Sequence, residues 1–375
     1  MKAIGIFNFI FEKECGASIV ARNHVKLLQE YFKSNIEIIA LAGSNNVSSS
    51  EYRVLNSYRG IYGKVINLLS CNTAKINNKI IKEILLIIKK ENIDFVFIDD
   101  SIFGKLVKKV KEKNPNITVV CYYHDIKANL CNEWIKKHPL KIINYNVIKK
   151  NEFLTQKHCD YNLVLNYREK KMFVKYYKKE PEGFLPITLS GPTKIECSSN
   201  NYTSNILFVG AYYYPNVNGI IWFVNNVFNK LDSDFRLTIV GNGMEKIKEE
   251  FIKDDRIIVL GRVEDLSPYY FDCNMVIGPI FEGAGMKVKT AEAFSFGKIY
   301  VGTTESLEGY LDNPKVSELI DKFVFKCDDA SQFLSVINKL KMCELYNANV
   351  KKVFDECYSV NSAYYILDNI VNKVV

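Results

Sequence analysis

The sequence predicts an α/β protein of two doubly wound, Rossmann-like domains facing each other across a cleft. Three observations predict it. The length of 375 residues suits two domains of roughly 100–200 residues each. Apolar runs alternate with helical periods, break off at a polar segment near residue 190, and then resume. Several runs are apolar on both faces, as in Phe95-Val96-Phe97-Ile98 and Val119-Val120-Cys121-Tyr122, which marks central strands of a parallel sheet.

In chain order, a strand over 3–9 leads through Glu14-Cys15-Gly16 to a helix starting near Ser18, its N-cap, with Val20, Leu27, Leu28, Tyr31 and Phe32 on one side. Strands are predicted over 36–41, 95–98 and 118–122, with helices over 75–91 and 102–113. Residues 186–205 are polar and hold two prolines, which reads as a linker. The alternation then restarts with a strand over 206–209 and a helix over 220–231. In that helix Ile220, Phe223, Val224, Val227, Phe228 and Leu231 recur at the spacing of one buried face. Strands over 236–240, 257–260, 275–278 and 299–301 follow, with a helix over 287–296 between the last two, and a terminal helix begins near Asn361. The organisation expected is a domain over 1–188, a linker over 189–204, a second domain over 205–355 and a helical tail over 356–375.

Composition excludes several classes. Hydrophobic residues are 48% and charged residues 25%, so wholesale disorder is excluded. The longest apolar run, near 80–88, is broken by Lys82 and Glu83 and falls short of the roughly 18–20 residues that cross a bilayer. The first residues read as a buried strand rather than a secretory signal, so a cytosolic protein is expected. The ten cysteines are scattered with no C-x-x-C pair, which argues for reduced thiols and against a zinc site. The sequons at Asn46, Asn116 and Asn201 carry no meaning in a cytosolic chain.

The net charge of +8 conceals an asymmetry. Residues 1–200 carry 32 basic and 19 acidic side chains, a net +13; residues 201–375 carry 18 and 23, a net −5. Basic clusters lie at 105–113, 136–141, 149–150 and 168–179. Two readings stand: lysines on solvated helix faces, or a first domain that meets an anionic membrane surface. Nucleic acid is not expected, because no recognition motif accompanies the charge.

The stretch Gly283-Ala284-Gly285-Met286-Lys287-Val288-Lys289-Thr290-Ala291-Glu292 carries the chemistry. A strand ends, glycines let backbone amides approach an anion, and a helix begins with its partial positive charge outward. Lys287 and Lys289 add full charges at an end where cations oppose the macrodipole, a conflict that an anionic diphosphate resolves. Glu292 lies about 7–8 Å further along the axis, within reach of a ribose. The plain alternative for Lys289 and Glu292 is a surface ion pair of about 0.2–0.5 kcal/mol.

With these residues in view, the sequence resembles the GT-B glycosyltransferases of family 4 (group 1). The resemblance rests on Phe208-Val209-Gly210, Pro215-Asn216-Val217, Ile239-Val240-Gly241-Asn242-Gly243, Leu260-Gly261-Arg262-Val263, the 283–292 stretch and Thr303-Thr304-Glu305-Ser306, in the family's order. It covers 205–312 firmly and 1–185 loosely. It implies a nucleotide-sugar donor, UDP-, GDP- or dTDP-linked, with no cofactor and no metal, and a glycan or lipid-linked saccharide acceptor. A retaining transfer at the inner face of a bacterial membrane is the expectation that follows.

By the same resemblance Glu292 binds the donor ribose, Lys287 and Lys289 the phosphates, and Arg262 and Val263 the base, while Gly16, Gly210, Gly283 and Gly285 shape the donor site. The family's first motif glutamate would fall at 284, where this chain has Ala284. In the first half, His124 follows a strand directly and matches a histidine near the transferred sugar; Asp100 and Asp125 are acceptor-side candidates. His24, His138 and His158 have no such position. Asp232-Ser233-Asp234 spells a metal-binding D-x-D but reads as a turn. Two rival activities on this sequence are a non-hydrolysing nucleotide-sugar epimerase and a non-catalytic basic scaffold.

Overall fold

The computed structural model describes residues 1–12, 16–43, 47–57, 61–73, 75–192, 194, 204–283, 285–341 and 343–373. The chain divides into two compact units, Met1–Pro186 with Ala363–Val375, and Ile187–Ser362. Residues 195–203 of the expected linker, and Cys15 and Ala284, lie outside the described residues.

The first unit runs β1 (Ala3–Phe7), α1 (Gly16–Phe32), β2 (Ile36–Ala42), β3 (Arg53–Asn56), α2 (Ile61–Leu69), α3 (Asn78–Glu91), β4 (Phe95–Ile98), α4 (Gly104–Lys113), β5 (Thr118–Tyr123), α5 (Lys127–Lys137), α6 (Ile142–His158), β6 (Tyr161–Val164), α7 (Tyr167–Tyr177) and β7 (Gly183–Phe184). Its strands form one parallel sheet in the order β3-β2-β1-β4-β5-β6-β7. Strands β1, β4 and β5 are buried along their whole length, as runs apolar on both faces require. Helix α3 shows how local chemistry sets an element. The Asn77 side chain caps it by accepting from the Ile80 amide, Asn92 ends it in a left-handed conformation, and six aliphatic residues between Ile80 and Ile88 are buried. The helix α1 begins at Gly16, two residues before the expected cap.

The second unit runs β8 (Ser204–Val209), α8 (Tyr214–Asn226), β9 (Phe235–Val240), β10 (Ile257–Leu260), α9 (Ser267–Asp272), β11 (Met275–Gly278), α10 (Val288–Ser295), β12 (Ile299–Gly302), α11 (Pro314–Ser317), β13 (Val324–Lys326), α12 (Ala330–Lys339) and α13 (Ala348–Cys357). Its parallel sheet has the order β10-β9-β8-β11-β12-β13. The helix expected over 220–231 starts six residues earlier, because Pro215 is tolerated in a first helical turn, where its missing N–H has no partner to lose. It also ends at Asn226. Phe228–Lys230 continue as a 3₁₀ turn that keeps Val227, Phe228 and Leu231 buried, so the apolar stripe outlasts the α-helix. A final helix, α14 (Val360–Asn372), leads back to the first unit, where the Tyr31 hydroxyl donates to Asp368 Oδ1 at 2.9 Å.

In each sheet the strand order reverses once, between β1 and β4 and between β8 and β11. Loops leaving the carboxyl ends of strands on either side of such a reversal run to opposite faces and leave a crevice, the usual ligand position in open α/β sheets. The segments after β1 and β4 carry Asn8, Asp99 and Asp100; those after β8 and β11 carry Gly210 and the run into α10.

Candidate donor and acceptor sites

The second unit's crevice is shaped by backbone proximity. A Cβ placed on Gly241 would lie 1.9 Å from the Gly210 carbonyl oxygen, so the chains leaving β8 and β9 can touch only where a side chain is missing. After β11 the chain passes Gly283 and Gly285. Gly285 has φ +71, a left-handed turn that a side chain would strain, and it turns the chain into α10.

Lys287 is the N-cap of α10 rather than part of its first turn. Its ammonium donates to the Gly285 carbonyl at 2.8 Å and to Glu305 Oε1 at 2.7 Å. Lys289, on the first turn, sends its ammonium across the crevice to Asn216 Oδ1 on α8 at 2.7 Å, 4.7 Å from the centre of the Phe208 ring. That ammonium is drawn inside rather than left on the surface. Burial, then the charge of Lys287, push its pKa down to about 7, with only Glu292 pulling the other way. No acidic residue stands in the first turn of α10. Two cations therefore face an electropositive helix end with Glu305 as the carboxylate paired to Lys287.

One turn on, burial raises the Glu292 carboxyl, whose Oε2 accepts from the Tyr270 hydroxyl at 2.9 Å. Tyr270 is fixed by stacking on Phe296 at 4.4 Å and 6°. Oε1 of Glu292 has no protein partner among the described residues and is the oxygen free for a diol. Arg262 and Val263 lie beyond β10, Arg262 exposed and Val263 partly so. Asp232 and Asp234 both pair with Lys341 at 2.7 Å, at the opposite, amino end of β9. They form a closed surface turn and offer no open pair of carboxylates beside α10.

In the first unit, His124 leaves β5 and donates from Nε2 to both the Asp99 carbonyl at 3.0 Å and Asp99 Oδ2 at 3.1 Å. Both partners are acceptors, so Nε2 carries a hydrogen. His24 Nδ1 meets the other carboxylate oxygen at 2.7 Å, which sets its hydrogen in the same way and leaves its Nε2 buried without a partner. His24 is thus part of this cluster, contrary to the reading that gave it no role. Burial opposes ionisation of both groups, but the His124 charge holds Asp99 below the usual carboxylate range, and Asp99 in turn holds His124 above the usual imidazole value.

Asp100 accepts from Asn8 Nδ2 at 2.8 Å and is raised by burial, while Asp125 pairs with Lys127 at 3.2 Å. Asn8 Oδ1 and the Tyr122 hydroxyl are buried and unpartnered as well. The Tyr122 ring lies edge-on to both imidazoles, at 4.5 and 4.8 Å. Buried orphan polar atoms are costly, and three of them, on Asn8, His24 and Tyr122, gather about the neighbouring carboxylates Asp99 and Asp100.

A raised imidazole contributes stability that is present below its unfolded value near 6.5 and is lost as pH rises through the folded value. Asp99→Asn should move the His124 titration to lower pH and abolish this alkaline loss. NMR titration of the imidazole signals checks it; an unmoved His124 midpoint contradicts the pairing.

The structure thus groups Gly210, Gly283, Gly285, Lys287, Lys289 and Glu292 at one crevice, and His124 and Asp100 at the other. Asp125 follows His124 in the loop into α5, and Gly16 opens α1 with its backbone. Sequence reasoning read Asp99 only with Asp100 and Ser101, as a strand end that could touch acceptor, and passed over Asn216, Tyr270 and Glu305 as site residues. Asn216, Tyr270 and Glu305 stood within motifs already singled out, but their partners, like the two imidazoles on Asp99, come from tertiary structure.

Comparison with known proteins agrees with this architecture. Residues 203–341 match the family model described as Glycosyl transferases group 1. A 120-residue stretch is 33% identical to an uncharacterized 44.6 kDa protein from the cps region of Klebsiella pneumoniae, covering 29% of this chain and 31% of that protein. The match therefore spans under a third of that relative's length. Among solved structures, the apo form of the lipopolysaccharide outer core galactosyltransferase WaaB superposes with a TM-score of 0.68 at 13% identity, over 100% of both chains. Anabaena HepE in complex with UDP does so with a TM-score of 0.68 at 11% identity, again over 100% of both. The protein has the GT-B glycosyltransferase fold.

Proposed function

We propose that the protein transfers a sugar from a nucleoside diphosphate sugar to a hydroxyl of a glycan or lipid-linked saccharide, retaining anomeric configuration and needing no metal or cofactor. The observation that carries this reading is the pair Lys287 and Lys289 converging on the N-terminus of α10 beside the β8/β11 reversal. A diphosphate seated there meets two ammonium groups and a helix dipole. As the bond from the anomeric carbon to the diphosphate oxygen breaks, negative charge grows on the leaving group and positive charge on the sugar ring. Donors fixed at that point stabilise the transition state more than the ground state.

In this reading Glu292 Oε1 holds the ribose and the loop at Arg262 and Val263 meets the base. The backbone at Gly210, Gly283 and Gly285 lies along the phosphates, and Gly16 shapes the donor loop of the first unit. His124 contacts the transferred sugar, with Asp99 and His24 as positioning residues. Asp100 and Asp125 serve the acceptor. UDP-linked donors are the first to try, because the structural relative HepE was solved with UDP and with UDP-glucose.

The test is a nucleotide-release screen with UDP-, GDP- and dTDP-sugars in the presence and absence of saccharide acceptors. The reading expects one donor class to release its nucleoside diphosphate only with acceptor present, and a product of unchanged anomeric configuration by NMR. A new sugar isomer formed from donor alone identifies an epimerase instead. A chain that neither binds nor turns over any of these donors rejects the proposal.

A further inference from the structure

In the second unit a pocket of about 260 Å³ opens between α8 and the chain leaving β11. Tyr214, Asn218, Gly219 and Trp222 line it from α8, and Phe281 and Glu282 from the other side. Tyr214, Asn218 and Trp222 stand four residues apart and share one face of the helix, while Ile220, Phe223 and Val224 turn the other way into the core. Close contact shapes the pocket. A Cβ on Gly219 would lie 1.9 Å from the Pro279 carbonyl oxygen, so only glycine lets α8 rest on the segment that carries Phe281. The Trp222 ring is fixed by two phenylalanines, edge-to-face with Phe281 at 4.5 Å and with the buried Phe333 at 5.9 Å.

The lining combines aromatic surface with polar groups that have nothing to bind. Water disfavours the rings of Phe281, 41% exposed, and Tyr214, 60% exposed. The Glu282 carboxylate, the Asn218 amide, the Tyr214 hydroxyl and the Trp222 indole N–H have no partner among the described residues. No lysine or arginine lines the pocket, so a phosphate would meet only the repulsion of Glu282. A cation would match the carboxylate but leave the amide and indole donors idle, because it offers no acceptor. A sugar ring matches both parts. Its C–H faces are apolar and lie against aromatic rings, and its hydroxyls donate to a carboxylate and accept from N–H groups. The pocket also borders the donor crevice: Asn216, the acceptor for Lys289, stands on the same turn of α8, and Glu282 leads into Gly283.

We propose that this pocket is a saccharide subsite seating one neutral sugar ring of the glycan acceptor, stacked on Trp222 and Phe281 with Glu282 accepting from its hydroxyls. The assignment of that ring to the acceptor rests on the sugar-transfer reading; the binding of a saccharide here does not.

Trp222 itself reports the binding. The chain has two tryptophans, so Trp134→Phe leaves Trp222 as the sole indole. That protein, without donor, is titrated with neutral oligosaccharides of glucose, galactose, mannose and rhamnose. At least one should give a saturable blue shift of the indole emission. Phe281→Ala should weaken that binding about 3–10-fold, and Glu282→Gln about tenfold or more. Both side chains are exposed, so unfolding temperatures should match the parent and confirm that the variants are folded. Calorimetry with UDP reads the donor site separately: saccharide binding with no nucleotide binding upholds the subsite and fails the sugar-transfer reading. No emission change with any of the oligosaccharides overturns the proposal, as does parent-like binding by both variants. A shift given by choline or by uridine and by no saccharide overturns it too, by assigning the pocket to a cation or a nucleobase.

Discussion

Lys287→Ala is expected to lower turnover at saturating donor by about a hundredfold or more, because a fixed donor aimed at charge that develops in the transition state is worth about 2.7–4 kcal/mol. Lys287 is well placed for this. It sits at the N-cap of α10, held by the Gly285 carbonyl and by Glu305, with its side chain 13% exposed. The same contacts bound the damage to the fold. Loss of one partly exposed ion pair costs up to about 1 kcal/mol, a shift of a few degrees in unfolding temperature. Steady-state kinetics with a thermal melt on the same sample separates the two effects. A folded variant turning over at the parent rate removes Lys287 from the chemistry.

Glu292→Ala should act on nucleotide affinity. Hydrogen bonds to a charged carboxylate are worth about 1.5–3 kcal/mol, so UDP or GDP binding should weaken by about 10–100-fold. The alanine variant also strands the buried Tyr270 hydroxyl, which has its own stability cost. Glu292→Gln keeps an acceptor for Tyr270 and isolates the loss of charge. Calorimetry with UDP and its 2′-deoxy analogue makes the assignment specific: the parent should prefer the ribonucleotide and both variants should lose that preference. An unchanged preference would place the ribose elsewhere.

Much of the second unit was legible in the sequence because its strands are short, apolar and bounded by glycine or polar residues. The strands over 257–260 and 275–278 were placed to the residue. The α10 region was legible for another reason: glycines and cations at a helix start are a local signature, and Gly283, Gly285, Lys287, Lys289 and Glu292 fall within ten residues. Periodicity alone misjudged α8, since a buried stripe does not distinguish an α-helix from a helix followed by a 3₁₀ turn.

The first unit was less legible where contacts are long-range. Asp99 looked like one of two strand-end carboxylates, and His24 like an ordinary helix residue. Only the pairing of β1 with β4 and of β4 with β5 brings His24 and His124 to the same carboxylate, 75 and 25 residues distant in sequence. Glu152 shows the same limit. It lies within α6, yet it accepts from the Lys127 and Ala128 amides at 2.8 and 2.6 Å and so closes the start of α5.

In the proposed function a diphosphate docks at the start of α10 against Lys289. An ammonium lowered to about 7 penalises the fold when charged, a penalty relieved as pH rises from about 7 toward about 10.4. A diphosphate reverses the preference and draws a proton onto Lys289. Calorimetric titration of UDP or GDP near pH 8, in two buffers of different ionisation heat, measures this directly. The account predicts proton uptake approaching one per nucleotide, affinity that rises as pH falls toward 7, and loss of the uptake in Lys289→Ala. Nucleotide that binds the parent and Lys289→Ala with equal affinity and no proton uptake would contradict it.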